Sequence, residues 1–308
     1  MKLFSDKHRP VHMGPYPIER LKRVDTVDLN AAPTIKPITF QRPEAPESII
    51  NAMGEYQAML DAIRDGLINK AKAEIPTDLK ERSNHLKGFG YFSDVSMIGI
   101  CRLTDEAILD KPIQNPDIKR LANALRTRQT KTLASGTDLI MADLRDSMEA
   151  PPTTINGHTY AIVFMYENPR QFLPNEVGID WLEDAHAHRA CLRANETSAV
   201  IANYIRLLGY DAKSHSGSAS DVDLNKLALC AGLVWADDGE LVAPYIGKNF
   251  GLGAITTAFE LATDRPLAPR ADQPWFKTKG PAWWLGKGSS KSAFNCDPFL
   301  KRKFVNGP

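Results

Sequence analysis

Apolar residues at Ile49, Ile50, Met53, Tyr56, Leu60, Ile63 and Leu67 recur every three or four positions, which sets them on one face of a helix over 47–72. A second amphipathic stretch over 77–86 follows. The run 95–101 is short, apolar and bounded by polar residues, the signature of a buried strand. Asn115-Pro116-Asp117, followed by Ile118, Leu121 and Leu125, predicts a capped helix over 115–125. Pro151-Pro152 ends the helix that holds Leu139, Met141 and Leu144. Asn156-Gly157 makes a tight turn into 159–166, an unbroken apolar run that fits a central strand buried on both faces, and Asn168-Pro169 closes it. Residues 181–208 read as a long helix with Leu192, Val200, Tyr204, Leu207 and Leu208 as its apolar contacts and Gly209 just past its end. A strand over 210–214, a short helix through Leu227 and Ala231 capped by Asp221 or Asp223, and strands over 240–243 and 253–257 complete the pattern.

The flanks lack this periodicity. Seven prolines, at positions 10, 15, 17, 33, 37, 43 and 46, predict an extended Pro-rich N-terminal arm over 1–46. An α+β domain is expected over 47–268. Residues 269–308 read as an irregular segment or a linker to a further module, pinned to the body by Trp275, Trp283 and Trp284.

Composition narrows the function classes. Lys plus Arg (38) nearly cancels Asp plus Glu (37), so no overall field draws nucleic acid or an anionic membrane. No run approaches the 18 or so apolar residues that a membrane-spanning helix needs. The four cysteines, Cys101, Cys191, Cys230 and Cys296, are widely spread, the nearest two lying 39 positions apart, so no short loop can wrap an iron–sulfur cluster. Cys191 and Cys230 fall in apolar helical patterns and read as buried, inert thiols. His186 and His188, two apart on a helix, project about 200° from each other and cannot hold one ion; Glu183 and Asp184 suit the dipole of that helix's N-terminus. Gly251 and Gly253 lack the third glycine of a dinucleotide loop, Gly286-Lys-Gly-Ser-Ser290 lacks the upstream glycine and strand of a phosphate loop, and no nucleophile elbow is present.

One stretch, 196–266, carries a fuller signature. A long amphipathic helix breaks at Leu208-Gly209-Tyr210 and leads into a polar loop over 213–223. Leu227-Ala-Leu-Cys-Ala-Gly-Leu233 and then Phe250-Gly-Leu-Gly-Ala-Ile-Thr-Thr257 follow. This order of elements resembles the corrinoid-binding core of the cobalamin-dependent reductive dehalogenases and of their relatives, the epoxyqueuosine reductases. Met13-Gly-Pro-Tyr-Pro-Ile-Glu-Arg-Leu-Lys-Arg-Val-Asp25 is similar to the opening of the module in the cytoplasmic branch of that family. The start of the chain has no apolar run after its basic residues, as an export signal requires, which agrees with that branch and with a cytoplasmic location.

The resemblance implies an α+β, nitroreductase-like fold with a mixed sheet flanked by helices. It implies cobalamin as cofactor, with Ser214, His215, Ser216, Gly217, Ser218, Gly251 and Gly253 lining part of its cleft. Small residues there would let backbone approach a flat macrocycle. By composition alone the same Ser/Gly-rich segment reads as a flexible, solvent-exposed loop. Reductive removal of a halide needs a reachable cobalt, low-potential electrons and a proton donor. The family's cluster cysteines are absent, and no tyrosine lies between Asp211 and Leu233; His215, Asp221 and Asp223 remain as acids, and no catalytic residue is assigned. The expectation is therefore the non-catalytic N-terminal copy of a duplicated dehalogenase, whose partner is a second module carrying the corrinoid and the iron–sulfur clusters. The closing Phe304-Val-Asn-Gly-Pro308 echoes Val11-His-Met-Gly-Pro15, as if a second copy began there. A stand-alone cobalamin carrier or chaperone, or a dehalogenase reduced by a separate ferredoxin, are the alternatives.

Overall fold

A computed structural model of the chain describes residues 9–129, 153–168, 178, 182 and 185–273. The expected helix around Leu139, the Pro151-Pro152 stop, Glu183 and Asp184, the three tryptophans after position 274, Cys296, the Gly286 turn and the closing Phe304–Pro308 motif lie outside these residues.

The centre is a four-stranded sheet in the order β1 (Met97–Arg102), β3 (Tyr160–Glu167), β8 (Phe250–Thr257) and β4 (Ala212–His215). All three pairings are antiparallel, so the mixed sheet expected from the resemblance is corrected to an antiparallel one. The apolar run predicted as a doubly buried strand is β3, an interior strand of this sheet. Its residues alternate between two cores: Ala161, Val163 and Met165 face one, and Tyr160, Ile162, Phe164 and Tyr166 face the other. Two smaller ladders adjoin it. One pairs β2 (Ile108–Ile113) with β5 (Ser220–Val222), and the other is the hairpin of β6 (Trp235–Asp237) and β7 (Glu240–Val242).

Helices cover both faces. On one side lie α2 (Leu79–Phe92), N-capped by Asp78 through Lys80 N at 2.9 Å, and α4 (Ala185–Leu207). On the other lies α5 (Leu224–Cys230), whose cap is Asp223, accepting from Asn225 N and Lys226 N. Helices α1 (Ile49–Ala62) and α3 (Asp117–Gln129) pack together outside α4. Gly209 ends α4 at φ +89°, a conformation that costs glycine little. Residues 9–48 contain three single 3-10 turns and no longer element, and they bury Leu21, Leu29 and Phe40 against the body.

Two helices turn inward a face that only partly matches the one their apolar residues predict, Ile50 and Met53 of α1 being the shared members. Helix α1 stops at Ala62 rather than near 72, and its buried face is Ile50, Gly54, Gln57, Ala58 and Asp61. Of the apolar stripe, Tyr56 is 66% exposed and Leu67, beyond the helix, 98%. In α4 the expected contacts Val200, Tyr204 and Leu207 are exposed, whereas Ala190, Ala194, Ser198, Ile201 and Ile205 are buried. In α4 the reason is steric: its inward positions meet the backbone of β8 at close range. A Cβ on Gly251 of β8 would lie 2.5 Å from the Ala190 Cβ, and one on Gly253 would lie 3.0 Å from that of Ala194.

Candidate functional site

The segment expected to be a polar loop is a strand, a tight turn and a second strand. Residues 213–222 are buried throughout, with Ser214, His215, Ser216 and Ser220 at 0% exposure. Ser216 N donates to Ala219 O at 2.9 Å, and the Ser216 hydroxyl accepts from the backbone N–H groups of Ser218 and Ala219, so the serine closes the turn locally. The reading of this segment as solvent-exposed and flexible is corrected. Its cover is the chain's own N-terminal segment: Ile38 N donates to Gly217 O at 2.8 Å, and a Cβ on Gly217 would lie 2.7 Å from Ile38 Cδ1 and 3.4 Å from Cys191 Sγ.

Beneath the turn sits Asp61, the C-terminal member of the polar stripe on α1. Its carboxylate accepts five hydrogen bonds: from Ser218 Oγ at 2.6 Å, Asn195 Nδ2 at 2.7 Å, Ser216 Oγ at 2.8 Å, Asn115 Nδ2 at 2.8 Å and Gln57 Nε2 at 3.1 Å. Burial pushes its pKa up, against the pull of these donors and of Arg64. Polar residues thus point inward on α1 because their partners are the serines of the turn.

A charged group adjoins this ring. Lys213 is 1% exposed, donates from Nζ to Thr153 O at 2.6 Å and lies 2.8 Å from Asp221 Oδ2. Asp221 Oδ1 accepts from Arg64 Nη2 at 3.2 Å. The Lys213–Asp221 contact is an ion pair without hydrogen-bond alignment.

His215 opens a chain of polar contacts toward the surface. Its Nδ1 accepts from the Asp221 backbone N–H at 3.2 Å, so its proton sits on Nε2, 2.8 Å from Thr256 Oγ1. The Thr256 hydroxyl then donates to His158 Nδ1 at 2.8 Å, which places the His158 proton on Nε2, 3.2 Å from the half-exposed Asp211 carboxylate but poorly aligned with it. Burial holds both histidines below the ordinary range, and Arg64 and Lys213 push His215 further down. Both are neutral in the folded chain near pH 7, whereas an unfolded histidine titrates near about pH 6.5. Below that value the unfolded chain takes up protons that the folded chain refuses, so stability falls with pH until the folded values are reached. Asp61, its pKa raised, contributes with the opposite sign. We expect the urea midpoint to fall between about pH 7.5 and about pH 5.5, and His215→Asn to flatten that fall. An equally steep fall in the variant would remove His215 from the account.

The seven expected cofactor-lining residues therefore fall into two groups. Ser214 to Ser218 are brought together in the buried turn, and Gly251 and Gly253 lie in β8 against α4. As folded, the first group is buried beneath Ile38 and Cys191, and the second lies against Ala190 and Ala194. Gln57, Asp61, Arg64, Asn115, Asn195 and Lys213 escaped the sequence reading. The available signal was the spacing of Gln57, Asp61 and Arg64 along one helix. His188 Nε2 lies 2.9 Å from Thr39 O, with its ring edge-on to Phe40. Among the described residues no group of three or more His, Cys, Asp or Glu could hold a metal ion. A cavity of about 390 Å³ lies elsewhere, between the motif around Gly14 and Tyr16 and the residues Tyr91, Asp94, Ser96 and Glu167. Tyr16 donates its hydroxyl to Glu167 at its edge.

No protein-family model matches the chain, and no curated protein matches it. Solved structures do. The catabolic reductive dehalogenase NpRdhA aligns at 32% identity and TM-score 0.66, covering 90% of this chain and 34% of that one. A reductive dehalogenase whose structure suggests a mechanism for B12-dependent dehalogenation aligns at 32% identity and TM-score 0.66, covering 93% of this chain and 34% of that one. NpRdhA in complex with 3-bromo-4-hydroxybenzoic acid aligns at 31% and 0.65, covering 90% and 33%. The chain spans about a third of the length of these relatives. An epoxyqueuosine reductase from Streptococcus thermophilus overlaps at 14% identity and TM-score 0.37, over 62% of this chain and 50% of that one, too remotely to carry an argument.

Proposed function

The chain belongs to the reductive dehalogenase family, and from that premise we propose that it is the non-catalytic N-terminal module of a corrinoid-dependent enzyme that removes halide reductively from organohalides. Its body is a nitroreductase-like core that works in the cytoplasm. Its partner is a second module that carries cobalamin and the iron–sulfur clusters. Among the described residues no helix is long and apolar enough to cross a membrane.

The observation that carries this reading is the filled turn. The residues that the resemblance would set around a corrin are closed over by Ile38, by Cys191 and by the Asp61 ring, and the two glycines of β8 are taken up by α4. Such a module contributes a packed surface rather than a reaction site. Halogenated phenolic acids of the kind bound by NpRdhA are the substrate class for the whole enzyme.

Cobalamin added to the purified chain is the test. An unchanged visible spectrum is expected, together with no bromide release from 3-bromo-4-hydroxybenzoic acid under a low-potential reductant. A shifted spectrum would replace this reading with that of a cobalamin carrier. Halide release in the presence of a separate ferredoxin would make the chain a dehalogenase in its own right.

A further inference from the structure

Two cysteines far apart in sequence share the core where α5 crosses β1. Cys101 points to the same side of β1 as Met97, into the core that α5 covers. Its Sγ lies 3.9 Å from Leu227 O, in the last turn of that helix. Gly99, the residue between them on the same side, lies so close that a Cβ there would sit 2.5 Å from Ala231 O. Cys230, the residue before Ala231 and one turn after Leu227, packs half-buried against the same core as Cys101. The expectation of a buried Cys230 thus gives way to a half-buried one beside the fully buried Cys101, and no disulfide joins them.

We propose that Cys101 and Cys230 are a reversible thiol–disulfide pair that responds to hydrogen peroxide or an organic hydroperoxide, with Cys230 as the thiol attacked first and Cys101 as the resolving thiol. The roles follow from position: Cys230 is the one that solvent reaches, and Cys101 is 3% exposed. Electrostatics agree in direction, the pKa of the Cys230 thiol being lowered and that of the buried Cys101 raised from the ordinary value. The Cys230 thiolate attacks a peroxide oxygen, breaking the O–O bond and forming a sulfenic acid as water or alcohol leaves after protonation. The Cys101 sulfur then attacks the Cys230 sulfur, its proton joins the departing hydroxyl, and water leaves as the S–S bond forms. Two thiols are oxidised by two electrons and one peroxide is reduced. A thiol donor reverses the step by exchange, as a reducing cytoplasm does for transient, redox-sensing disulfides. The bond would tie the end of α5 to β1, and it is independent of the proposed role as a dehalogenase module.

The experiment treats the full chain with equimolar hydrogen peroxide and maps non-reduced peptides by mass. A peptide pair joined through Cys101 and Cys230, lighter by two hydrogens and released by dithiothreitol, is expected. Cys230→Ser should abolish it and Cys191→Ser should leave it intact. Thiols that stay free, a linkage through Cys191 or Cys296 instead, or Cys230 carried on to sulfinic acid without the link would each overturn the proposal. The wild-type map decides even if a variant fails to fold.

Discussion

Asp61→Ala is expected to cost about 3–5 kcal/mol of unfolding free energy, the range for removing one buried charged partner and stranding the groups around it. Five donors converge on this carboxylate. Some can find new partners: Ser216 and Ser218 lie 3.1 Å apart through their hydroxyls, and Gln57 Nε2 already reaches both. Asn115 Nδ2 and Asn195 Nδ2 have no such alternative among their hydrogen bonds, and each stranded buried donor costs roughly 1–3 kcal/mol. The pKa of Asp61 is raised by burial, so the ionised carboxylate already bears a desolvation cost, and this keeps the loss below the sum of five bonds. Urea unfolding at neutral pH measures it. A loss under about 1 kcal/mol would mean that the ring closes on itself or on water, and that Asp61 does not organise the turn.

Lys213→Met is expected to cost about 2–4 kcal/mol, somewhat less than a fully stranded buried charge, because Asp221 keeps Arg64 as a partner. Methionine conserves most of the buried volume, so packing changes little and the loss reports the ion pair and the bond to Thr153 O. Adding Asp221→Asn to Lys213→Met should recover part of it. A double variant as unstable as the sum of the two singles would show the pair to be uncoupled.

Several elements were legible because their information is local. The central strand reads directly from 159–166, a run with no hydrophilic face to present to water, and it is β3 in the middle of the sheet. Of the two expected caps, Asp221 and Asp223, Asp223 starts α5, and Gly209 marks the end of α4, since caps depend on one or two side chains and one backbone angle. The family relationship was legible for a similar reason: the order of helix, break, turn and strand along 196–266 follows the chain.

What the chain could not declare is which residue lies opposite which. The apolar stripe on α1 gave only part of the inward face, Ile50 and Met53, because the hydrophobic pattern assumes an apolar partner, and much of the partner is a serine turn about 150 positions later. The Ser/Gly composition of that turn fits both exposure and burial, and Asp61, itself held by Asn115 and Asn195, allows burial by accepting from the Ser216 and Ser218 hydroxyls. Likewise Gly251 and Gly253 are compatible with a ligand or with a helix at close range, and the packing of Ala190 and Ala194 decides for the helix. Local sequence fixes backbone preference through steric and hydrogen-bond terms within a few residues. Burial of polar groups is settled by contacts distant in the chain, which form only when the sheet and helices assemble.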